Sequence, residues 1–490
     1  MRKRVSNRLG QWKQRPADDP PRRSRVGWLG ILFCALLLAG AAGYRFYYQP
    51  AQAVAQADPF ANLLRLAERS VASADFATAI EHYQQALRIE SRNTDLICKL
   101  ANAQAAFGDA PAAVESYSRA LEADPNHVTA LTRRAEVHSR SGDHKSAVAD
   151  YDRILERSTD NHDVRGRRAA ARLAAGDAQG AAEDAGRVLS ATGNRADMLL
   201  VRGRAHLQQG LIGPAEDDLN LAIELAPDES AAWNARGQAR LRRGDAKSAD
   251  ADQTRAIQLH PVNPDYYIDR ALARRAAENY SGAVADLGKA LELRPNDARA
   301  FLERANARRD RGDRHGAVDD YTQAIRLAPD SAEAYYHRGT TRAAWGKLPG
   351  AIADFNRVIA MQPDDINAYV ARADARERSG DWDGAIADLN QVLQLDPKNA
   401  FAFCTRGDIR RQMGDLKSAL EDYDRALKTN PEYSYAYYSR GQARWDSGNV
   451  QGALADFRWV VDHATDPSLV SLASRYLTAA DPASVPAPRP

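Results

Sequence analysis

The sequence predicts an all-α protein made of stacked helix pairs, preceded by one transmembrane helix. Two observations carry this prediction. A 34-residue pattern recurs through residues 60–467 without insertion or deletion, which gives twelve units, and fixed periods of this size are typical of helical-repeat proteins. An uncharged run of 19 residues, Val26–Tyr44, comes before the array. As a helix this run spans about 28 Å, close to the thickness of the hydrocarbon core of a bilayer.

The segments outside the repeats are assigned from charge and hydropathy. Residues 1–25 hold nine basic side chains and two acidic ones, Asp18 and Asp19. Because basic residues flank the cytoplasmic side of a membrane helix, residues 1–25 are predicted to be a cytoplasmic tail and residues 26–44 a signal-anchor helix. A cleaved signal peptide is the alternative. Residues 45–59, with Pro50 and Pro59, are predicted to be a linker.

Small residues recur at fixed places in every unit. Counting from Phe60, the eighth residue of each unit is Ala or Gly and the twentieth is always Ala, which lets two helices approach closely. Gly occupies the fifteenth position in ten units, as at Gly142 and Gly380, and predicts a left-handed turn residue at the end of the first helix. Pro at the thirty-second position, as at Pro125 and Pro397, stops the second helix in eight units.

This pattern resembles the tetratricopeptide repeat family, and the resemblance covers residues 60–467. It implies a right-handed α-solenoid of twelve helix-turn-helix units, with first helices lining a concave groove. Residues 468–480, with Leu469, Leu472 and Tyr476 at helical spacing, are predicted to form a capping helix, and residues 481–490 to be disordered.

The array also carries charges that depart from the family pattern. Units three to twelve have Arg at the seventh position, usually apolar in the family, and Asp at the twenty-third, while units one and two lack both. The joint presence and absence predict an arginine–aspartate ladder between helices, with partly desolvated pairs. Its central members are Arg304, Asp320, Arg338, Asp354, Arg372 and Asp388. The alternative is an exposed arginine stripe that binds phosphate or sugar acids.

Units four to six deviate most from the repeat. Unit four has Gly180 and Gly186 within its second helix and Gly193 in place of Pro, and Glu216, Asp250 and Gln253 follow at usually apolar positions. Since Gly weakens a helix interior, this region is predicted to be the least stable part or a hinge. Neutral drift within a redundant array is the alternative.

A partner-binding site is predicted at the C-terminal end of the array. The resemblance implies that the second, fifth, ninth, twelfth and thirteenth positions face the groove. In the last units these positions are rich in aromatic and charged residues, which are common at interface hot spots. The candidates are Tyr336, Phe401, Asp408, Arg411, Tyr435, Tyr438, Gln442 and Trp445. The alternative is that the terminal aromatic residues pack under the capping helix.

No catalytic, cofactor or metal motif is found in the sequence. The ten histidines form no ligand spacing, Cys34, Cys98 and Cys404 form no metal or disulfide framework, and phosphate-loop and nucleophile-elbow motifs are absent. The charge of the chain outside its basic tail is mildly acidic, which argues against nucleic acid as a partner.

The functional prediction is therefore a non-enzymatic scaffold or adaptor that binds partner peptides or helices in the groove. The anchor and its basic flank place the array on the periplasmic side of a bacterial inner membrane. A membrane-anchored receptor or co-chaperone-like protein with the array in the cytosol is the alternative. The sequence does not indicate an oligomeric state.

Overall fold

The computed structural model describes residues 58–479, and these residues form 25 α-helices and no β-strand. This is the all-α helical repeat that the sequence predicts, in which each helix is 12 to 15 residues long. The number of twelve units stays a prediction from the sequence frame, and that frame is used below to number positions.

The helices, labelled in chain order, have the following bounds. They are α1 Pro59–Ala72, α2 Phe76–Ile89, α3 Thr94–Phe107, α4 Ala110–Ala123, α5 Val128–Arg140, α6 His144–Leu155, α7 His162–Ala174, α8 Ala178–Thr192, α9 Ala196–Gln208, α10 Ile212–Leu225, α11 Ser230–Arg242, α12 Ala246–Leu259, α13 Pro264–Ala276, α14 Tyr280–Leu293, α15 Ala298–Asp310, α16 Arg314–Leu327, α17 Ala332–Ala344, α18 Leu348–Met361, α19 Ile366–Arg378, α20 Trp382–Leu395, α21 Ala400–Gln412, α22 Leu416–Thr429, α23 Ser434–Asp446, α24 Val450–His463 and α25 Pro467–Ala479. Odd-numbered helices up to α23 are the first helices of the units.

The turn between the two helices of a unit has a constant backbone conformation. The residue at the fifteenth position has a positive φ throughout, and this includes Ala74 at 58° and Glu278 at 59°, where Gly is missing. An Asp or Asn side chain then caps most of the second helices, as Asp313 does by accepting a hydrogen bond of 3.0 Å from the Gly316 N–H. The turn is therefore imposed by the packing of the two helices, and Gly only reduces its cost.

The two series of small residues lie where the paired helices meet. The alanines at the twentieth position, such as Ala317 and Ala351, are 0% exposed. At Gly339, an added Cβ would lie 2.8 Å from Phe355 Cε1, so the aromatic ring occupies the space that a side chain would need. The small residues therefore let a large aromatic or aliphatic residue at the twenty-fourth position fill the inside of the hairpin in every unit except units four and six, which have Ala185 and Gln253 there.

The described chain divides into two compact regions, and the boundary falls between Val137 and His138, within α5. The first compact region contains α1 to α4, and the second contains α6 to α25. The division does not fall in units four to six, where the sequence suggested a hinge. In that region α8 is continuous from Ala178 to Thr192 in spite of Gly180 and Gly186.

Two of the three unexpected polar residues of the middle region have charged partners. Glu216 Oε1 lies 3.4 Å from Arg240 Nε, and Asp250 Oδ1 accepts a hydrogen bond of 3.0 Å from Arg274 Nε. Gln253 is 0% exposed, and neither of its side-chain polar atoms has a hydrogen-bond partner among the described residues. A buried polar group in this state costs about 1–3 kcal/mol, so Gln253 is a local source of instability.

The predicted tail, membrane helix and linker up to residue 57 lie outside the described residues, as does the predicted disordered tail. Between residues 58 and 479, no helix combines the length and apolar character needed to cross a membrane. The final helix begins at Pro467, one residue before the predicted capping helix, and buries Leu469 and Ala473.

Candidate functional site

The arginines at the seventh position bind the aspartates at the twenty-third position of the same unit. In unit eight, Arg304 Nε and Nη2 donate hydrogen bonds of 2.8 and 2.7 Å to the two carboxylate oxygens of Asp320. The same bidentate geometry joins Arg338 to Asp354 and Arg372 to Asp388. Within residues 138–479 it also joins the pairs 168–184, 202–218, 236–252, 270–286, 406–422 and 440–456.

Each of these carboxylates is also contacted by a second basic side chain, from the eleventh position. Arg308 Nη1 donates a hydrogen bond of 2.7 Å to Asp320 Oδ2, and Arg342 does the same to Asp354. In unit five the second group is His206, with Nδ1 3.2 Å from Asp218 Oδ2. The carboxylates are nearly inaccessible, with side-chain exposures from 0% at Asp422 to 8% at Asp218.

In seven of these nine pairs the arginine also donates a hydrogen bond to the preceding unit. Arg338 Nη1 donates a hydrogen bond of 3.0 Å to Thr322 Oγ1, in the second helix of the preceding unit, and Arg372 Nη1 donates one of 2.6 Å to Asn356. In seven units the guanidinium additionally lies over an aromatic ring three residues earlier, as Arg304 does over Phe301 at 5.4 Å. Such contacts add about 0.5–2 kcal/mol each.

These contacts favour the structural interpretation of the charged pattern. All three guanidinium nitrogens of Arg338 and Arg372 donate to carboxylates and polar groups of the array itself, so an anion would have to displace those partners. The bidentate geometry fixes the distance between the two helices of one unit, and the third hydrogen bond fixes the next unit against it.

Repeat unit two, which lies in the first compact region, has a neutral hydrogen bond in place of the ladder. Ser116 Oγ donates a hydrogen bond of 2.7 Å to Gln104 Oε1 at the positions that carry Asp and the second cation elsewhere. A cavity of about 360 Å³, lined by Leu100, Gln104 and Ser116, lies beside this contact. The sequence difference between units one and two and the later units is therefore also a difference in packing.

Three of the predicted partner-binding residues contact the final helix α25. Tyr438 is 8% exposed, and its ring lies 6.4 Å from that of Tyr476. Gln442 Nε2 donates hydrogen bonds to the hydroxyls of Tyr438 and Tyr476 at 3.0 and 3.2 Å. The Trp445 ring meets Tyr476 edge-on at 5.4 Å. These are the contacts that the packing alternative expects, and partner binding at these three positions stays a prediction.

Asp408 and Arg411 also have partners within the array. Asp408 Oδ1 accepts a hydrogen bond of 2.8 Å from the hydroxyl of the buried Tyr423. Burial raises the pKa of the Asp408 carboxyl, while this hydrogen bond acts in the opposite direction. Arg411 Nη1 donates a hydrogen bond of 3.0 Å to Asp446 Oδ2 on the next first helix. Asp408 therefore helps to hold α21 against α22, and Arg411 helps to hold α21 against α23.

The same tyrosine contact recurs in other units and was missed in the sequence. Tyr117 donates to Asn102 at 2.6 Å and Tyr321 donates to Asn306 at 2.7 Å, again from the twenty-fourth to the ninth position. The sequence signal is that the ninth residue is Asn, Asp or Glu in each unit with Tyr at position twenty-four. The ninth position is thus a hydrogen-bond acceptor for the core in these units.

Phe401 and Tyr435 differ from the other predicted residues because both remain open to solvent. Phe401 is 51% exposed and Tyr435 is 45% exposed. Both occupy the second position of adjacent first helices, α21 and α23, which contact each other. At the second position of units two to ten the residues are Asp95, Thr129, Asp163, Asp197, Ala231, Asp265, Arg299, Glu333 and Asn367. We call Phe401 and Tyr435 the exposed aromatic pair.

Tyr336 is half-buried and lies at a smaller surface cavity. Its ring packs edge-on against Phe355 at 6.0 Å, and it lines a cavity of about 280 Å³ with Asp365 and Asn367.

The neighbouring His337 Nδ1 lies 3.1 Å from Arg309 Nη1. Burial, followed by the guanidiniums of Arg309 and Arg275, lowers the pKa of His337 to about 4, so this imidazole is neutral at pH 7.

A cavity of about 810 Å³ lies between α7 and α9 and was missed in the sequence. It is lined by Gly166 and Ala170 of α7, by Met198, Leu200 and Val201 of α9, and by charged residues around them. The signal that could have found it is the coincidence of small residues at the fifth and ninth positions of unit four. We call this cavity the α7–α9 pocket.

The described residues contain no group of three or more His, Cys, Asp or Glu side chains placed to hold a metal ion. Cys98 and Cys404 are free thiols and both are buried.

Helix pairs joined by left-handed turns, with small residues inside each pair and polar links between pairs, define a helical-repeat protein. Profiles described as tetratricopeptide repeat match residues 98–162, 167–230, 302–366 and 344–400. A related profile, described as TPR repeat, matches residues 407–448. The chain therefore contains tetratricopeptide repeats, and the repeat family predicted from the sequence is confirmed.

Solved structures with a similar arrangement share little sequence with this chain. Yeast Tom70 is 16% identical, with a TM-score of 0.37, over 86% of this chain and 96% of its own. YrrB, described as a TPR protein with an unusual peptide-binding site, is 23% identical over 38% of this chain and 97% of its own, with a TM-score of 0.35. A tetratricopeptide repeat protein from Parabacteroides merdae is 18% identical over 50% and 98%, with a TM-score of 0.40. No curated protein sequence matches the chain.

Removing one ladder carboxylate should destabilise the array strongly. In Asp320→Ala, the guanidiniums of Arg304 and Arg308 lose their shared acceptor in a site where the carboxylate is only 4% exposed. We expect a loss of about 3–5 kcal/mol in unfolding free energy, measured by urea denaturation followed by circular dichroism. Asp319→Ala is the matched control, because that neighbouring side chain is 63% exposed and should change stability by less than about 1 kcal/mol. Equal effects of the two variants would contradict the ladder's structural role.

Stability should also depend on pH through His337. Its pKa is lowered from 6.5 to about 4 in the folded protein, so between these values the unfolded chain binds more protons and stability falls as the pH falls. Between pH 7 and pH 5 this group should account for a loss of about 2 kcal/mol. The measurement is the urea midpoint at both pH values for the wild type and for His337→Gln, which should lose correspondingly less. Identical losses would show that His337 titrates normally.

Proposed function

We propose that this protein is a scaffold that binds partner proteins through the surface formed by its first helices. The support is the presence of tetratricopeptide repeats together with an array that holds its own units in register by the arginine–aspartate ladder. Such an array offers a long surface with little conformational entropy left to lose on binding. The array has no enzymatic activity of its own in this proposal, and it needs no cofactor.

The exposed aromatic pair is the observation that carries the binding site. Leaving two large aromatic side chains about half exposed forgoes hydrophobic stabilisation of roughly 25 cal/mol for each Å² that stays uncovered. Position two is small, polar or charged in units two to ten, so the repeat does not require an aromatic residue there. A partner that covers Phe401 and Tyr435 would recover that free energy, and Arg411 and Asp446 lie on the same two helices to supply polar contacts at its edge.

In this proposal the array is anchored to a membrane and lies outside the cytoplasm. Twelve units in a right-handed solenoid would follow the predicted signal-anchor helix at residues 26–44, with the array on the periplasmic side of a bacterial inner membrane. The support is the charge difference between residues 1–25 and the residues that follow the apolar run. A membrane-anchored receptor with its array in the cytosol is the second candidate, favoured only if the apolar run inserts in the opposite direction.

Replacing the exposed aromatic pair should abolish partner capture and leave the fold intact. We expect Phe401→Ser with Tyr435→Ser to remove the principal partners from proximity labelling by the full chain, because both side chains are already solvent-exposed in the free protein. The thermal midpoint should stay within about two degrees of the wild type. The control is Leu211→Ser with Val262→Ser, which removes side chains that are 45% and 64% exposed elsewhere. An unchanged partner set in the aromatic variant would refute the site.

The orientation is tested by reporter fusions to the C-terminus of the full chain. Alkaline phosphatase folds only outside the cytoplasm, so its activity is expected in the fusion. A green fluorescent protein fused at the same point should stay dark when exported in the unfolded state. Fluorescence without phosphatase activity would instead support the cytosolic receptor.

A further inference from the structure

The α7–α9 pocket lies where the first helix of unit four has unusually small residues. Its first-helix residues in unit four are Gly166 at the fifth position and Ala170 at the ninth. Units five to twelve carry larger side chains at these positions, for example Leu302 and Tyr336 at the fifth and Leu272 at the ninth. A volume of about 810 Å³ lies within the range of ligand pockets.

The lining of the pocket shows what kind of side chain would fill it. Met198, Leu200 and Val201 present apolar surface on α9, and Ala226 lies at the start of the next connection. Met198 is 5% exposed, and its Sδ would lie 3.2 Å from a Cβ at Gly166, so the thioether already fills the space next to Gly166 and forms one wall of the pocket. This apolar lining suits a large apolar side chain, of the kind that Ile268, Leu302 and Tyr336 contribute at the fifth position of units seven to nine.

The rim of the pocket carries more negative than positive charge. Arg195 Nη2 donates a hydrogen bond of 2.7 Å to Asp197, and its Nη1 lies 3.5 Å from Asp163, so one guanidinium serves two carboxylates. Asp163 keeps 85% of its side chain exposed. Glu229 caps the start of α11 through the Ala231 N–H and forms no ion pair among the described residues. Arg167 is the remaining cation of the lining.

We propose that the α7–α9 pocket binds a partner segment that inserts one large apolar side chain, aromatic or leucine, next to a basic residue. The apolar side chain packs beside Ala170 and against the apolar residues of α9, and the basic residue pairs with Asp163 or Glu229. This inference rests on the proposed function only in that the array binds proteins. It assigns a second site, far along the chain from the exposed aromatic pair, with its own specificity.

The probe is a displayed library of random dodecapeptides, selected on the full-length chain in detergent micelles. We expect the enriched peptides to share Phe, Tyr, Trp or Leu adjacent to Lys or Arg. In fluorescence anisotropy, synthetic copies should bind Ala170→Leu at least about tenfold more weakly than wild type. Leu fits the fold at the ninth position, because Leu272 stands there in unit seven. Raising the salt concentration should weaken binding through the rim.

Two controls separate pocket filling from other effects. Thr340→Leu introduces the same side chain at the ninth position of unit nine, away from the pocket, and should leave peptide affinity unchanged. Phe401→Ser with Tyr435→Ser should also leave it unchanged, so failure of one site does not imply failure of the other. Lack of enrichment, enrichment of peptides without the apolar and basic residues, or full affinity in a folded Ala170→Leu variant would each overturn the proposal.

Discussion

The buried carboxylate at position twenty-three is the contact on which the array depends. Each of these carboxylates is shared by a bidentate arginine and a second basic side chain, as Asp320 is by Arg304 and Arg308. A carboxylate this inaccessible is stable only while its partners stay in place, because the cost of removing it from water is several kcal/mol. Since the arginine also donates to the preceding unit in most pairs, as Arg338 does to Thr322, the ladder couples packing within a unit to packing between units.

This polar link explains how the array combines small hydrophobic clusters with regular stacking. The cores inside single hairpins are modest, as in the cluster of Ala305, Ala317 and Tyr321 with Leu302. Apolar contacts of this kind are non-directional and permit neighbouring helices to slide. Bidentate hydrogen bonds have one geometry, so they fix the register that the apolar contacts leave open. In unit two, a hydrogen bond between Ser116 and Gln104 stands in place of the ladder, and a cavity lies beside it.

Regular stacking also makes exceptions easy to interpret. A residue that differs from its counterparts in the other repeats either leaves apolar surface uncovered, as at Phe401 and Tyr435, or leaves a cavity beside it, as at Ala170. The exposed aromatic pair presents apolar surface that the array does not cover, and the α7–α9 pocket is a space that the array does not fill. Both can be completed by another protein, which is why two separate contacts with partners are consistent with one scaffold.

The sequence alone determined the repeat, its turns and the pairing of charges. These features are local or recur with a fixed period, so a residue and its partner keep a constant separation of sixteen positions from Arg304 to Asp320 and from Arg338 to Asp354. The structure shows a turn conformation that holds even at Ala74 and Glu278, because helix packing rather than Gly sets the backbone there.

Only the tertiary structure decided which surface residues are available. Tyr438 and Tyr435 both looked exposed from their positions in the repeat, but Tyr476 on α25 covers the first and not the second. Asp408 looked like a surface charge until Tyr423 was seen to donate to it. The α7–α9 pocket depends on the absence of side chains and on the neighbours that line it. Exposure and empty volume are properties of what surrounds a residue, and the identity of that residue does not contain them.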